Sequence, residues 1–306
     1  GKFNASINAV EFGTGDKAVK IGGENVFPLY SFDAAIENAP KVGIEITDFG
    51  MEHEPECIKK YYEGCATLAD MARKAASMEG VDFLSFRMEG GDPNGANKST
   101  EELIGELKEI ADAVDLPLVV CGCKNVEKDA ELFSKAAEAL NGKNAVILSA
   151  KEENYKTVGA AAGLAYKQLV GAESAVDINL AKQLNVLISQ LGVDSKSVVM
   201  NVGTAAVGYG FEYVISTMDR VKAAALQQGD ANLQMPIITP VASEAWGVKE
   251  AMASETDAPE WGSQEERGID MEVETAMAVI AAGSNAVILK HPESIKIISG
   301  LMKELV

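Results

Sequence analysis

Short apolar runs and helical stripes alternate along almost the whole chain. Eight runs read as strands: Val42–Thr47, Val81–Phe86, Leu118–Cys121, Ala145–Leu148, Ala175–Ile178, Val198–Asn201, Pro236–Thr239 and Ala286–Leu289. They are brief, rich in β-branched residues and apolar almost throughout, the pattern of parallel strands covered on both faces. Between them the period changes to that of a helix. Cys65, Leu68, Ala69, Ala72 and Ala76 share one face, and Leu103, Ile104, Leu107, Ile110 and Val114 another. Leu180, Leu184, Leu187, Ile188 and Leu191 form the cleanest stripe, followed by Phe211, Val214, Met218, Val221 and Ala225. Ser99 with Glu102 fits a capping box, and Asn125 and Asn179 stand where N-caps are expected.

Strict alternation implies parallel strands joined by right-handed crossovers, and eight units match a closed (β/α)8 TIM barrel. The competing fold, a doubly wound open sheet, carries a glycine-rich turn after its first strand. Here that strand runs into Asp48-Phe-Gly-Met-Glu-His53, which lacks the fingerprint. Ahead of the eight runs, Ile7–Phe12, Gly13–Asp16 and Lys17–Ile21 read as a β-hairpin, expected to cover the bottom of the barrel. We therefore expect one domain over 1–306, with the hairpin and lead-in in 1–40 and the barrel in 41–306.

Charge narrows the partners. The 306 residues carry 27 basic and 46 acidic side chains, a net charge of −19. Phosphate backbones and anionic membranes are repelled by such a surface, so neither nucleic acid nor membrane is an expected partner. No run approaches the roughly 18 apolar residues of a membrane span, and Gly1-Lys2-Phe3-Asn4 has no apolar signal core, which points to the cytoplasm. The four cysteines, Cys57, Cys65, Cys121 and Cys123, contain no C-x2-C pair. Reduced structural thiols are the first reading; a metal or redox role for Cys121 and Cys123 is the second.

In such a barrel the chemistry sits on the loops that follow the strands. The loop after the sixth run, Val202-Gly-Thr-Ala-Ala-Val-Gly-Tyr-Gly210, is the most informative. Gly203, Gly208 and Gly210 let a flat ligand approach the backbone, and Gly210 opens the next helix, whose free N–H groups face outward. A tight strand-to-helix turn is the plainer explanation. The loop after the seventh run, Pro240 to Gly268, holds both tryptophans, Trp246 and Trp261. From Ala251 to Glu274 there are eight acids and one base, Arg267. It reads either as a contact surface or as a lid packed on its own barrel. Lys151 and Lys290 each follow an apolar strand, where a desolvated lysine could form a Schiff base; the plainer reading is a lysine salt-bridged to an acid on the rim. Glu45 lies inside an apolar strand and reads as a paired buried carboxylate. Neither His53 nor His291 falls in a catalytic set; His291 before Pro292 reads as a helix start. No Ser-His-Asp set, acid/base carboxylate pair or metal triad emerges.

The segment Asn201-Val-Gly-Thr-Ala-Ala-Val-Gly-Tyr-Gly-Phe-Glu-Tyr213 with Met218-Asp-Arg-Val-Lys222 resembles the small (delta) subunit of the corrinoid iron–sulfur protein of the reductive acetyl-CoA pathway. So do Gln234-Met-Pro-Ile-Ile-Thr-Pro240, Glu244-Ala-Trp-Gly247, Glu45-Ile-Thr-Asp48 and Leu148-Ser-Ala-Lys151. The resemblance implies a barrel paired with a large subunit that carries a [4Fe-4S] cluster. A corrinoid of the cobalamin type would lie between the two, against the top of this barrel. The pair would take a methyl group from methyltetrahydrofolate through a methyltransferase and deliver it to acetyl-CoA synthase/CO dehydrogenase. Cobalt would do the chemistry and the protein would control access. On that basis Asn201, Gly203, Thr204, Tyr209 and Gly210 are the expected corrinoid contacts, with Thr239 and Trp246 behind them. No residue is assigned as a catalytic group or metal ligand. The alternatives are a stand-alone pterin- or folate-dependent methyltransferase holding its ring with Asp48, Asp92 or Asn201, and an aldolase-type barrel using Lys290.

Overall fold

The computed structural model describes residues 1–306. A two-stranded antiparallel ribbon comes first, β1 (Val10–Phe12) against β2 (Val19–Ile21). Eight parallel strands follow: β3 (Lys41–Thr47), β4 (Phe83–Arg87), β5 (Leu118–Cys121), β6 (Val146–Ala150), β7 (Leu169–Glu173), β8 (Val198–Asn201), β9 (Ile238–Pro240) and β10 (Ala286–Leu289). They neighbour one another in the order β8-β7-β6-β5-β4-β3-β10-β9. A parallel bridge from Met200 to Ile237, with Met200 N donating to Pro236 O at 2.8 Å, joins β8 to β9 and closes the ring. The expected TIM barrel is the fold observed.

The outer layer contains α1 (Leu68–Ala76), α2 (Thr100–Ala113), α3 (Val126–Ala139), α4 (Ile178–Gln190), α5 (Phe211–Leu226), α6 (Gln264–Ala282) and α7 (Pro292–Leu305). The crossover between β6 and β7 is a short helix, Tyr155–Val158, running into π-helical turns over Gly159–Ala165. Caps follow the residue chemistry. Ser99 Oγ accepts from Glu102 N and Asn125 Oδ1 from Lys128 N, as expected. The other expected N-cap moves: Asp177, two residues before Asn179, accepts from Asn179 N and Leu180 N.

That shift belongs to a larger correction. The fifth strand is Leu169–Glu173, not Ala175–Ile178. Ala175 takes a positive φ of 50° and Ile178 already begins α4, so the second apolar run is a turn and a helix start. Leu169-Val-Gly-Ala-Glu looks poorer as a strand because Gly171 and Glu173 both face the barrel interior, where one meets Leu148 and the other a polar cluster.

Alternation within the strands grades the interior from apolar to charged. With a period of two, Phe83, Ser85 and Arg87 point inward in turn along β4, as do Leu169, Gly171 and Glu173 along β7. At the lower end Phe83, Val146, Leu169 and Ala286 join one apolar cluster with Val10, Phe12, Val19 and Ile21 of the ribbon. Phe12 meets Phe83 edge-on at 5.4 Å between ring centres. The hairpin is thus the plug of the bottom, as expected. A buried polar knot fastens the lead-in beside it. Lys222 Nζ donates to Asn285 Oδ1 at 2.8 Å and reaches Glu24 Oε1 at 3.4 Å, while Asn285 Nδ2 donates to Glu24.

Candidate functional site

The upper layer of the interior is ionic. Glu45 on β3 accepts from Arg87 Nε at 2.8 Å and lies 3.8 Å from Lys290, the residue after β10. Lys290 Nζ in turn donates to Glu54 at 3.0 Å. Burial opposes ionisation of Glu45 most strongly, yet Arg87 and Lys290 together hold its carboxyl below the usual range. Burial likewise works against Lys290, and the carboxylates of Glu54 and Glu45 outweigh it and raise its pKa. Lys290 is therefore a held ammonium. A Schiff-base lysine needs the opposite shift, so the geometry speaks against the aldolase alternative.

Two side arrangements fix the loops around this layer. Both Asp48 oxygens accept from Gly90 N, at 2.9 and 3.1 Å, and Lys98 lies 3.1 Å away. Asp48 thus ties down the loop after β4. Lys98 also meets Glu106, whose carboxyl burial pushes up to about 7. On the opposite wall Glu173 accepts from Ser149 Oγ and Asn201 Nδ2, both at 3.1 Å, and pairs with Lys151 at 3.2 Å. Lys151 is a rim ion pair.

Two adjoining cavities open at this end. One, of about 210 Å3, is walled by Cys121, Ser149, Glu173, Asn201 and Thr204. The other, of about 350 Å3, is walled by Glu45, His53, Asp92, Trp246 and Lys290. Arg87, Gly122, Lys124 and Ser243 border both and mark where they meet. A larger depression of about 840 Å3 lies at the other end, between the hairpin turn and the C-terminal ends of α1 and α2. It is a surface furrow beside exposed side chains such as Lys17 and Asp115, remote from the interior ionic layer.

The expected contact residues separate into four groups. Asn201, Gly203 and Thr204 stand together at the mouth, with Asn201 Oδ1 accepting from Gly203 N at 3.1 Å. The Thr204 hydroxyl oxygen is enclosed and has no hydrogen-bond partner. Tyr209 and Gly210 lie further out along the rim. Tyr209 is 50% exposed and donates to Glu250 at 2.6 Å, while Gly210 sits at φ 78°, a left-handed conformation that only a side-chain-free residue adopts without strain. Thr239 stands apart: it is fully buried and its hydroxyl meets Ser284 Oγ at 2.7 Å, behind the strand and away from the mouth. Alternation explains it, because Ile238 is the inward residue of that strand. Trp246 forms a cavity wall. Its ring lies parallel to His291 at 6.0 Å and so close to Gly268 that a Cβ there would stand 2.3 Å from the indole.

The acidic loop after β9 is mostly an ordered cover on its own barrel. Arg267 donates to the Glu250 and Ala253 carbonyls, and Glu265 bonds Lys60 and His291. His291 also caps α7, its Nδ1 accepting from Glu293 N at 3.0 Å. Trp261, beneath Lys249 and Arg267, remains 37% exposed. Cys121 and Cys123 are buried thiols; burial pushes them up to about 11 and about 12, so both are protonated. No group of three or more His, Cys, Asp or Glu side chains is placed to hold a metal ion. Glu173 is not among the expected residues, because the run pattern puts its strand elsewhere; a charged residue ending the run Leu169-Val-Gly-Ala is the signal that marks it.

A family profile described as the CO dehydrogenase/acetyl-CoA synthase delta subunit matches residues 9–302. The chain belongs to this family. It is 30% identical over 300 residues to the acetyl-CoA decarbonylase/synthase complex subunit delta 1 of Methanosarcina thermophila, covering 96% of this chain and 67% of the relative. It is 31% identical to the corresponding delta subunit of Methanothermobacter thermautotrophicus, covering 97% and 75%. With that of Methanopyrus kandleri the figures are 32%, 95% and 71%. The delta-subunit chain is thus matched across two thirds to three quarters of these relatives' length. In fold it is similar to dihydropteroate synthases. That of Thermus thermophilus, in complex with 4-aminobenzoate, aligns at a TM-score of 0.56 and 13% identity, over 97% of this chain and all of the other. That of Xanthomonas albilineans gives 0.56 at 12%, over 87% and 94%. At such identity the likeness concerns the barrel alone. No helix is long and apolar enough to cross a membrane.

Proposed function

We propose that this delta-subunit chain is the barrel half of a corrinoid methyl carrier. Its large partner subunit would hold the [4Fe-4S] cluster and the other side of the corrinoid. The pair would receive a methyl group from methyltetrahydrofolate through a separate methyltransferase and hand it to acetyl-CoA synthase/CO dehydrogenase. The family match over residues 9–302 carries this reading.

The rim fits such a ligand. Pockets that enclose a drug-sized molecule run to roughly 300–1,000 Å3. A corrin with its amide arms is larger than that class, and the two mouth cavities, about 210 and 350 Å3, do not enclose it. A ring would lie across the rim, where Gly203, Gly208 and Gly210 carry no side chain and Tyr209 and Tyr213 present exposed faces. Its other face then needs a second polypeptide, which is the arrangement of a two-subunit carrier.

The corrinoid, when bound, supplies the methyl-carrying centre. This chain's residues orient and cover it. Asn201 holds Gly203 in place, the Gly203–Gly210 backbone offers amides at the start of α5, and Tyr209, set by Glu250, offers a flat aromatic face. Trp246 walls the adjoining cavity.

Purification of the native complex from anaerobic extract, followed by an ultraviolet–visible spectrum, tests the reading. Corrinoid and iron–sulfur absorption should co-elute with the chain. Methyl transfer from methyltetrahydrofolate to free cobalamin by the purified chain alone would replace it with the stand-alone methyltransferase.

A further inference from the structure

Arg87 is a buried cation of the mouth with most of its donors left open. Its side chain is 10% exposed, and its one hydrogen bond within the protein runs from Nε to Glu45 Oε1. The two terminal nitrogens of the guanidinium, with four N–H donors in one plane, bond nothing in the chain. Arg87 borders both cavities, so those donors stand where the two spaces join. Of the acids nearby, Glu45 is shared between Arg87 Nε and Lys290, and Glu173 is taken up by Ser149, Asn201 and Lys151, while Glu89, on the wall of the second cavity, makes no side-chain hydrogen bond or ion pair. Lys124 adds a second cation over the same junction. It is held by a single long contact of 3.4 Å to Glu244, with its side chain 67% exposed. A nine-tenths buried guanidinium fixed through Nε and open at its fork is a seat for an oxygen acceptor.

The geometry points to Arg87, with Lys124 above it, as a binding seat for a planar carbonyl-oxygen group, either the carboxylate of a separate small acid or the carboxamide of a corrinoid side arm. The second source rests on the function proposed above; the first does not. The junction admits a group of this size although it does not admit a macrocycle. The surrounding Ser149 and Asn201 are already turned to Glu173, which leaves the guanidinium as the oriented donor.

The test uses the four arginines of the chain, Arg73, Arg87, Arg220 and Arg267, as reporters. Arginine-selective 15N labelling gives four Nε–H signals, and the Arg87 signal is the one lost in Arg87→Lys. If that variant does not fold, the signal is identified by removing the other three in Arg73→Lys, Arg220→Lys and Arg267→Lys. The chain is titrated separately with propionate, propionamide and dicyanocobinamide at high millimolar fragment concentration. A shift confined to Arg87 with propionate alone assigns the seat to a separate carboxylate. A shift with propionamide and dicyanocobinamide assigns it to an amide arm. Lys124→Ala should weaken either response severalfold, and Arg87→Lys should weaken fragment binding, read from backbone amide shifts, about tenfold. Silence of Arg87 with all three probes, or equal movement of all four arginines, overturns the seat. A propionate response without corrinoid co-elution would remove the carrier reading and keep the seat; co-elution with a silent Arg87 would do the reverse.

Discussion

The two ends of this barrel solve opposite problems with the same strands. At the bottom, inward residues such as Phe83, Val146 and Leu169 meet a plug made of Val10, Phe12, Val19 and Ile21, and the interior is apolar. At the top, further along the same strands, Arg87 and Glu173 face cavities. The lower half removes apolar area from water, which stabilises the fold. The upper half keeps charges out of water, which costs free energy unless each finds a partner. What the contrast teaches is a division of labour by layer. The lower half is held by apolar burial, and the upper half by charges whose burial is tolerated because they are paired.

The sharpest way to break the contrast is to damage the plug. Phe12 is fully buried and packs on Phe83, so Phe12→Ala should lower unfolding stability by about 3–5 kcal/mol. The mouth should respond little: ligand shifts at Arg87 in the folded fraction should match those of the unaltered chain. Urea unfolding measures the first quantity and the labelled-arginine spectrum the second. A loss below about 1 kcal/mol would mean that the ribbon is a loose appendage and that the barrel closes its own floor.

The corresponding change above is Glu45→Ala. It leaves Arg87 without its Nε acceptor and Lys290 with Glu54 alone. Removing one member of a buried charge cluster typically costs about 3–5 kcal/mol; here Glu54 and the neighbouring cavities soften it, so the lower part of that range is expected. The contrast sharpens in a second measurement. Unlike Phe12→Ala, this change should disturb binding at the mouth, because it frees the guanidinium to rotate.

These two halves are unequally legible in the amino-acid pattern. Alternating runs define the barrel and hairpin because burial of parallel strands demands apolar residues over several consecutive positions. Lys222, Asn285 and Glu24 are distant in the chain and become neighbours only when the ring closes, so no local spacing marks them. Thr239 looks like a mouth residue because it ends an apolar run; only the phase of the alternation shows that it faces outward. Glu173 and Arg87 lie at strand ends where polarity is visible, yet their joint site requires knowing which strand ends meet.

Glu272 tests the boundary between the layers. This fully buried carboxyl on α6 accepts from Lys290 N at 2.8 Å and His291 N at 3.0 Å, fixing the turn from β10 into α7. Burial pushes it up to about 7 against the help of those bonds. In the unfolded chain it ionises near the ordinary glutamate value of about 4.3. Between these values the folded state binds the proton and the unfolded state does not. Its stabilising contribution is therefore present at low pH and is lost as pH rises toward about 7. Glu272→Gln should remove that slope, which for one group is at most about 1.4 kcal/mol per pH unit, and should cost about 1–3 kcal/mol by setting an amide N–H against a backbone N–H. Unfolding midpoints measured from about pH 5 to about pH 8, with and without the substitution, check both.

The smallest effect on stability should come from the outermost part of the top. Tyr213, on the first turn of α5, is 64% exposed and contributes little to the core. Tyr213→Ala should alter unfolding stability by no more than about 0.5 kcal/mol. Exposed tyrosines at an interface nevertheless often dominate binding, where truncation costs about 2 kcal/mol or more. If the rim is the contact surface of the carrier, Tyr213→Ala should weaken association with the corrinoid-loaded large subunit by tenfold or more, read as a shift in the concentration at which the two co-elute. An unchanged affinity would move the partner off this arc of the rim. The neighbouring Tyr209→Phe then isolates one atom: it deletes the hydroxyl that donates to Glu250 and leaves the ring face intact. Loss of binding in that variant with Tyr213→Ala silent would place the contact on the Tyr209–Glu250 side, over the loop that follows β9.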